Sequence, residues 1–127
     1  MESVLIVAVG GGIGSVARYL VSSWAAGRFG SDFPYGTLFV NVAGCFIIGF
    51  FMALVTEKVV TKPEWRLFIT TGFLGGLTTF SSFSYETIKL LQEADTAFAA
   101  YNILGNCIIG FFATWVGISF AKYLTLI

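Results

Sequence analysis

The hydrophobic positions of the chain fall into four long stretches that are separated by short polar connections. The stretches cover residues 3–23, 34–56, 65–91 and 96–124. The connections between them are residues 25–33, 57–64 and 92–95. Because a spanning helix needs about 20 mostly apolar residues, we predict four transmembrane helices. The pattern therefore predicts an all-α membrane protein with one domain over residues 1–127, embedded in a lipid bilayer.

The third stretch departs from the apolar pattern in its centre. Gly72, Gly75 and Gly76 are followed by five hydroxyl side chains between Thr78 and Ser84. Each glycine weakens a helix by about 1 kcal/mol relative to alanine, so we expect the third helix to be broken here. Irregular backbone at membrane depth is tolerated only where it is buried in protein or lines a wet cavity. This stretch therefore predicts a pore or a binding site.

Composition agrees with a membrane protein and argues against several other classes. The chain is 57% apolar and only 11% charged, whereas soluble domains carry roughly 25% charged residues. A net charge of zero gives no reason to expect nucleic acid as a partner. The chain has no histidine, which is the commonest acid–base group and metal ligand, and its two cysteines are not spaced for zinc. We predict no catalytic residue and no enzymatic activity.

Basic residues are divided almost evenly between the two ends of the predicted spans. Four lie on the side of both termini and three near the opposite side: Lys58, Lys62, Arg66 and Lys122 against Arg18, Arg28 and Lys89. The positive-inside rule therefore gives no firm orientation, and such a balance permits insertion in both directions. We predict an antiparallel, dual-topology homodimer, since one subunit offers few helices with which to enclose a pore.

Small residues are spaced for close helix contacts in two of the stretches. Gly10 and Gly14 are four residues apart, and so are Gly72 and Gly76. Such pairs let helix backbones approach closely in lipid, although glycine is also common in membrane helices generally. We expect specific contacts between subunits from this pattern.

Several polar and aromatic side chains are candidates for an ion path. Asn41 in the second stretch is expected to face the bundle interior, either as a hydrogen-bond donor to an anion or as a bond between helices. Phe80 and Phe83 share a helix face, where they either pack or present positive ring edges to a small anion. Conduction needs binding that is favourable but not too tight, which ring edges provide.

Two charged side chains lie within the apolar stretches. Arg18 either extends to the membrane interface or gives an anion a positive entrance. Glu86 is the only acid well inside the third stretch, and acids at membrane depth are functional candidates. It lies close to the end of the span, so a hydrogen-bonding role at the interface is the alternative.

Polar and small residues recur every four positions on the fourth stretch. They are Asn102, Asn106, Gly110 and Thr114. They form either one wall of an aqueous track or a set of hydrogen bonds between helices. Free carbonyl groups at the predicted interruption, near Gly75 to Thr78, suit a hard cation such as sodium.

Three segments together resemble one family. They are GFLGGLTTFSSFS at 72–84, GTLFVNVAG at 36–44 and GGGIGSVARY at 10–19. With them the chain closely resembles, over essentially its whole length, the Fluc family of fluoride channels, also called CrcB proteins. The resemblance implies an antiparallel homodimer that passively exports cytoplasmic fluoride through two pores. It also implies a place in the plasma (inner) membrane of a microbe and a role in fluoride resistance.

The resemblance also assigns roles to residues by position. Asn41, Phe80 and Phe83 are similar to the pore-lining residues of the family, and Ser81 and Thr114 to polar residues beside the ion path. The first three residues of the fourth-stretch pattern depart from the hydroxyl-rich version of the family: Asn102, Asn106 and Gly110.

The family likeness further implies a central structural sodium ion. Its ligands are the backbone carbonyls at the positions of Gly75 and Thr78, and the ion holds the two broken helices of the dimer together. Arg18 and Glu86 match charged positions of the family.

A small dual-topology multidrug/proton exchanger is the alternative function. It shares the size, the short connections and the charge balance of this chain. Such a carrier needs an acid in the membrane to couple proton and drug, whereas the first stretch has no acid after Glu2 and Glu86 is peripheral. The pattern therefore favours the channel.

Overall fold

The computed structural model describes all 127 residues, and the chain is entirely helical. The helices are α1 (Glu2–Phe29), α2 (Tyr35–Thr56), α3 (63–77), α4 (Phe80–Gln92) and α5 (Thr96–Leu126). Segments of π-helix occur within α3 at Leu67–Leu74 and within α5 at Gly105–Ile109. α1 packs on α3 and α2 packs along α5, while α4 lies against the first part of α5.

Three helices are long and apolar enough to cross a membrane: α1, α2 and α5. They coincide with the first, second and fourth predicted spans. The third stretch is divided between α3 and α4, and the two residues that join them, Thr78 and Thr79, have extended backbone. The prediction of an all-α, multi-pass membrane protein is confirmed.

α1 continues six residues beyond the predicted end of the first span, from Ser23 to Phe29. Arg28 in its last turn interacts favourably with the negative end of the helix dipole. The helix ends at Gly30, whose φ of 88° lies in the left-handed region that glycine adopts without strain. The predicted connection 25–33 is therefore shorter than expected.

Polar caps determine where two of the helices begin. The Thr79 hydroxyl accepts a hydrogen bond from the Ser82 amide at 3.1 Å, and an Asp95 carboxylate oxygen accepts one from the Phe98 amide at 3.2 Å. A side chain that caps a helix in this way stabilises it by about 1 kcal/mol. Thr79 therefore fixes the first residue of α4 directly after the extended segment.

Glycines bring α1 and α3 into backbone contact. A methyl group on Gly14 would collide with the Phe73 carbonyl oxygen, and one on Gly76 would collide with that of Gly11. On Gly10 it would lie 2.8 Å from the Phe68 carbonyl oxygen. The pairs Gly10/Gly14 and Gly72/Gly76 thus pack two helices of the same chain, and specific contacts between subunits stay a prediction.

The chain leaves helical geometry directly after the glycine cluster, within the stretch where the interruption was predicted. Gly72, Gly75 and Gly76 are all helical, and the chain becomes extended only at Thr78. The missing side chains of Gly72 and Gly76 allow the close approach of α1, whereas Gly75 has no atom of α1 within 4 Å of an added methyl group.

Large apolar side chains cover much of the surface. Val9, Ile13, Phe112 and Trp115 are each at least half exposed. Exposed apolar surface on this scale marks a membrane or protein contact, and it agrees with a chain whose outer faces meet lipid.

Candidate functional site

The site is built around the extended residues Thr78 and Thr79. In a continuous helix the Thr79 amide would donate to the Gly75 carbonyl, but here it donates to Oδ1 of Asn41 at 2.8 Å. The Asn41 amide nitrogen donates in turn to the Thr79 carbonyl at 3.1 Å. One side chain on α2 therefore replaces both helical partners of Thr79, which satisfies backbone groups that would otherwise be unpaired at membrane depth.

A series of hydrogen bonds continues from Asn41 into α5 and α4. Nδ2 of Asn41 donates to Oδ1 of Asn106 at 2.8 Å, and Nδ2 of Asn106 donates to the Asn102 carbonyl at 2.9 Å and to its Oδ1 at 3.0 Å. Nδ2 of Asn102 donates to Oγ1 of Thr87 at 2.9 Å, and Oγ1 of Thr87 donates to the Phe83 carbonyl at 2.8 Å. Asn102 is fully buried, so it serves as a bond between helices, the second of the two roles considered for it.

The two candidate phenylalanines are in contact but differ in exposure. Their ring centroids are 5.5 Å apart and the rings are nearly perpendicular, at 76°. Phe80 is 78% exposed, whereas Phe83 is 8% exposed. Phe83 thus presents its ring within the chain and Phe80 at its surface.

A pocket of about 440 Å³ lies beside the extended segment. Among its fourteen lining residues are Asn41, Gly75, Thr78, Phe80, Phe83 and Asn106. Most of the predicted pore and carbonyl residues therefore meet at one place, on one side of the extended backbone.

Ser81 and Thr114 do not line this pocket. The Ser81 hydroxyl is exposed and lies 3.2 Å from that of Thr79. The Thr114 hydroxyl donates to the Gly110 carbonyl of its own helix at 3.2 Å. Gly110 faces α2, where a methyl group on it would lie 3.3 Å from Sγ of Cys45.

The carbonyl groups of Gly75 and Thr78 are available to a ligand. The Thr79 amide bonds Asn41 and the Ser82 amide bonds the Thr79 hydroxyl, so neither donates to these carbonyls as it would in a continuous helix. Carbonyl oxygens at a helix C-terminus carry partial negative charge and suit a hard cation. These residues fit a sodium ion.

Arg18 and Glu86 line a second, more polar pocket of about 310 Å³ near the connection between α1 and α2. Nε of Arg18 donates to the Gly76 carbonyl at 3.0 Å, which satisfies an end group of α3. Oε1 of Glu86 accepts from the Thr37 hydroxyl at 2.7 Å, while its Oε2 is buried without a hydrogen-bond partner. The two charged candidates are thus brought into one pocket.

Thr79 lines both pockets, and sequence reasoning gave it no role. A hydroxyl residue directly before an amphipathic helix is a recognised N-cap signal and would have identified it. Thr37 and Thr87 were also missed, since a single hydroxyl in an apolar helix often bonds only its own backbone.

Comparison with known proteins gives the same result as the motifs. The family model for "CrcB-like protein, Camphor Resistance (CrcB)" matches residues 5–118. A relative from Solibacter usitatus is 47% identical over 93% of this chain and 97% of its own length. Relatives from Geotalea uraniireducens and Aquifex aeolicus are 45% and 49% identical, over 98% and 92% of this chain and 100% and 94% of their own. All three carry the name Fluoride-specific ion channel FluC. The chain therefore belongs to the Fluc family, also called CrcB.

Proposed function

We propose that the protein is a passive ion channel selective for fluoride. The observation that carries this proposal is the near full-length similarity to relatives that are named as fluoride-specific channels. These names describe transport proteins and not enzymes. The pocket beside Thr78 and Thr79 adds physical support, since it combines amide groups with aromatic rings at the depth where the helix ends.

In this proposal an anion enters through the pocket of Arg18 and continues past Thr79. Arg18 attracts the anion, and the bond from its Nε to the Gly76 carbonyl holds the guanidinium group at the wall of the pocket. Beyond Thr79 the ion meets Phe80 and Phe83, whose ring edges carry partial positive charge. No step makes or breaks a covalent bond.

We further propose that two copies form an antiparallel, dual-topology homodimer with two pores. Two rings that line the larger pocket, those of Phe80 and Phe111, are 78% and 75% exposed. A second copy would cover them and close the pocket on its open side. The near-equal division of basic residues between the two ends permits both orientations. In a microbial plasma (inner) membrane such a dimer would export cytoplasmic fluoride and give fluoride resistance.

A structural sodium ion is part of the proposal. The Gly75 and Thr78 carbonyls would hold it, and the ion would supply positive charge that joins the two subunits and attracts anions. The free carbonyl groups and the exposed surface of Gly75 support this assignment.

The function is tested by fluoride efflux from liposomes that contain the purified protein, measured with a fluoride electrode. Chloride efflux is the matched control. Rapid loss of fluoride without chloride would support the channel. Proton-coupled movement of a cationic drug without fluoride efflux would instead assign the protein to the multidrug exchangers.

We expect Phe80→Ile and Phe83→Ile to lower fluoride efflux by roughly tenfold each. Isoleucine keeps the apolar volume but removes the positive ring edge that would replace part of the water shell of the ion, and a tenfold change corresponds to about 1.4 kcal/mol. Phe112→Ile is the control, since Phe112 is exposed and does not line the pocket. Efflux at the wild-type rate from both pocket variants would contradict the role of the rings.

Removal of sodium is expected to weaken both the channel and the dimer. With N-methyl-D-glucammonium in place of sodium at constant ionic strength, we expect slower fluoride efflux and a lower melting temperature. A bound ion stabilises a fold by about 2.7 kcal/mol at a concentration one hundred times its dissociation constant. Returning sodium should restore both properties, and a melting temperature independent of sodium would rule out the site.

A further inference from the structure

We infer that Asn102 is a positioning residue that fixes the orientation of Asn41, acting through Asn106; this inference rests on the proposed channel function. Asn41 and Asn106 line the larger pocket, whereas Asn102 does not. Asn102 is fully buried behind them, between α5 and α4. Its influence on an ion would therefore pass through the amide of Asn106.

The five hydrogen bonds that connect these residues all run in one direction. Each donor points toward the same end, from the Thr79 amide through Asn41, Asn106, Asn102 and Thr87 to the Phe83 carbonyl. Three side-chain amides stand in series in the middle. Hydrogen bonds arranged in this way polarise and strengthen one another in a medium of low dielectric constant.

The direction is imposed by the ends of the series. A backbone amide only donates and a backbone carbonyl only accepts. The Thr87 hydroxyl has one proton, which it donates to the Phe83 carbonyl. The Thr87 oxygen must therefore accept the hydrogen bond that it forms with Asn102. Nδ2 of Asn102 must then face Thr87, and Oδ1 of Asn102 must face Asn106.

The same reasoning continues to the pocket. Because both Oδ1 and the backbone carbonyl of Asn102 accept from Nδ2 of Asn106, Oδ1 of Asn106 faces Asn41. Nδ2 of Asn41 then faces Asn106 and its Oδ1 accepts from the Thr79 amide. Rotating any one amide by half a turn would place two donors or two acceptors against each other, which costs free energy in a site shielded in part from water.

Thr87→Val tests the inference, because valine has the shape of threonine but cannot accept the Asn102 proton. Two quantities are measured: fluoride efflux from liposomes, and hydrogen–deuterium exchange at the Thr79 amide. We expect efflux to fall by about tenfold and Thr79 exchange to rise by about tenfold, which is the factor for the loss of one buried hydrogen bond. Thr87→Ser, which keeps the hydroxyl, is expected to stay within about twofold of the wild type in both.

Thr56→Val is the control for the loss of a hydroxyl that bonds its own helix. Thr56 donates to the Met52 carbonyl at 3.0 Å, four residues earlier, as Thr87 does to Phe83, but it lies outside the series. If Thr87→Val does not form a stable protein, Thr87→Ala removes the same acceptor with less crowding and is measured in its place.

Unchanged exchange at Thr79 in the Thr87 variant overturns the inference, even where efflux falls, because a purely local effect on α4 would leave Asn41 undisturbed. Unchanged efflux together with faster exchange overturns the effect on conduction, since the orientation of Asn41 would then be irrelevant to ion flow. Absence of fluoride efflux from the wild-type protein contradicts the proposed function instead, and in that case the exchange measurement alone decides whether the series orients Asn41.

Discussion

Asn41→Leu is expected to lower fluoride efflux by about a hundredfold or more. The substitution leaves the Thr79 amide, the Thr79 carbonyl and Oδ1 of Asn106 without their present partners. An unsatisfied buried polar group costs about 1–3 kcal/mol, and about 2.7 kcal/mol corresponds to a factor of one hundred in rate. The extended segment would either relax toward a continuous helix or take up water, and both changes displace Phe80 and Phe83.

Efflux from liposomes at equal protein content measures this effect. Cys45→Ala is the matched control, because Cys45 is one turn further along α2 and lines the same pocket but forms no side-chain hydrogen bond that holds Thr79. A variant of Asn41 that conducts at the wild-type rate would show that the extended segment keeps its shape without this side chain.

Gly14→Leu is expected to destabilise the fold by about 3 kcal/mol or more. Even a methyl group at this position would collide with the Phe73 carbonyl oxygen and lie 2.9 Å from the Leu77 amide nitrogen. The obstacle is backbone and cannot rotate away, so α1 and α3 must separate. Overpacking of this kind costs about 1–3 kcal/mol and occasionally more.

The free energy of unfolding in detergent, followed by tryptophan fluorescence, measures the loss. Gly12→Leu provides the comparison, since Gly12 lies on the same helix and has no atom within 4 Å of an added methyl group. We expect this second variant to keep its stability. Equal stability of the two variants would mean that the α1–α3 contact is looser than its geometry indicates.

The lengths of the apolar stretches predict the spanning helices well, because a bilayer imposes a similar length on every spanning segment. α2 ends at Thr56 as predicted, and α5 begins at Thr96 after the Asp95 cap. The predicted end of α1 differs because the apolar pattern marks the end of the spanning segment, whereas the helix continues through Ala25–Gly27 to Phe29. Its actual end depends on the backbone angles of Gly30.

The sequence predicts most residues of the candidate site but not the hydrogen bonds between them. The sequence predicts that Asn41, Phe80 and Phe83 face a cavity, because an amide and hydroxyl-flanked aromatic rings are unusual in an apolar helix. Nothing in the sequence shows that Asn41 bonds Thr79, since 38 positions separate them. The glycines were assigned to the interruption because glycine both weakens a helix and permits close packing, and only the position of α1 distinguishes the two.

The place of Thr79 between the two pockets bears on the speed at which ions would move. Both backbone groups of Thr79 are already bonded to Asn41, so a dehydrated ion crossing from one pocket to the other gains no hydrogen bond from that backbone. For the proposed channel, this crossing would be the highest free-energy barrier along the path, with one ion-binding position in each pocket. The rate at which ions cross this single residue would then limit fluoride transport. Saturation of the transport rate at high fluoride concentration would reflect occupancy of the two binding positions.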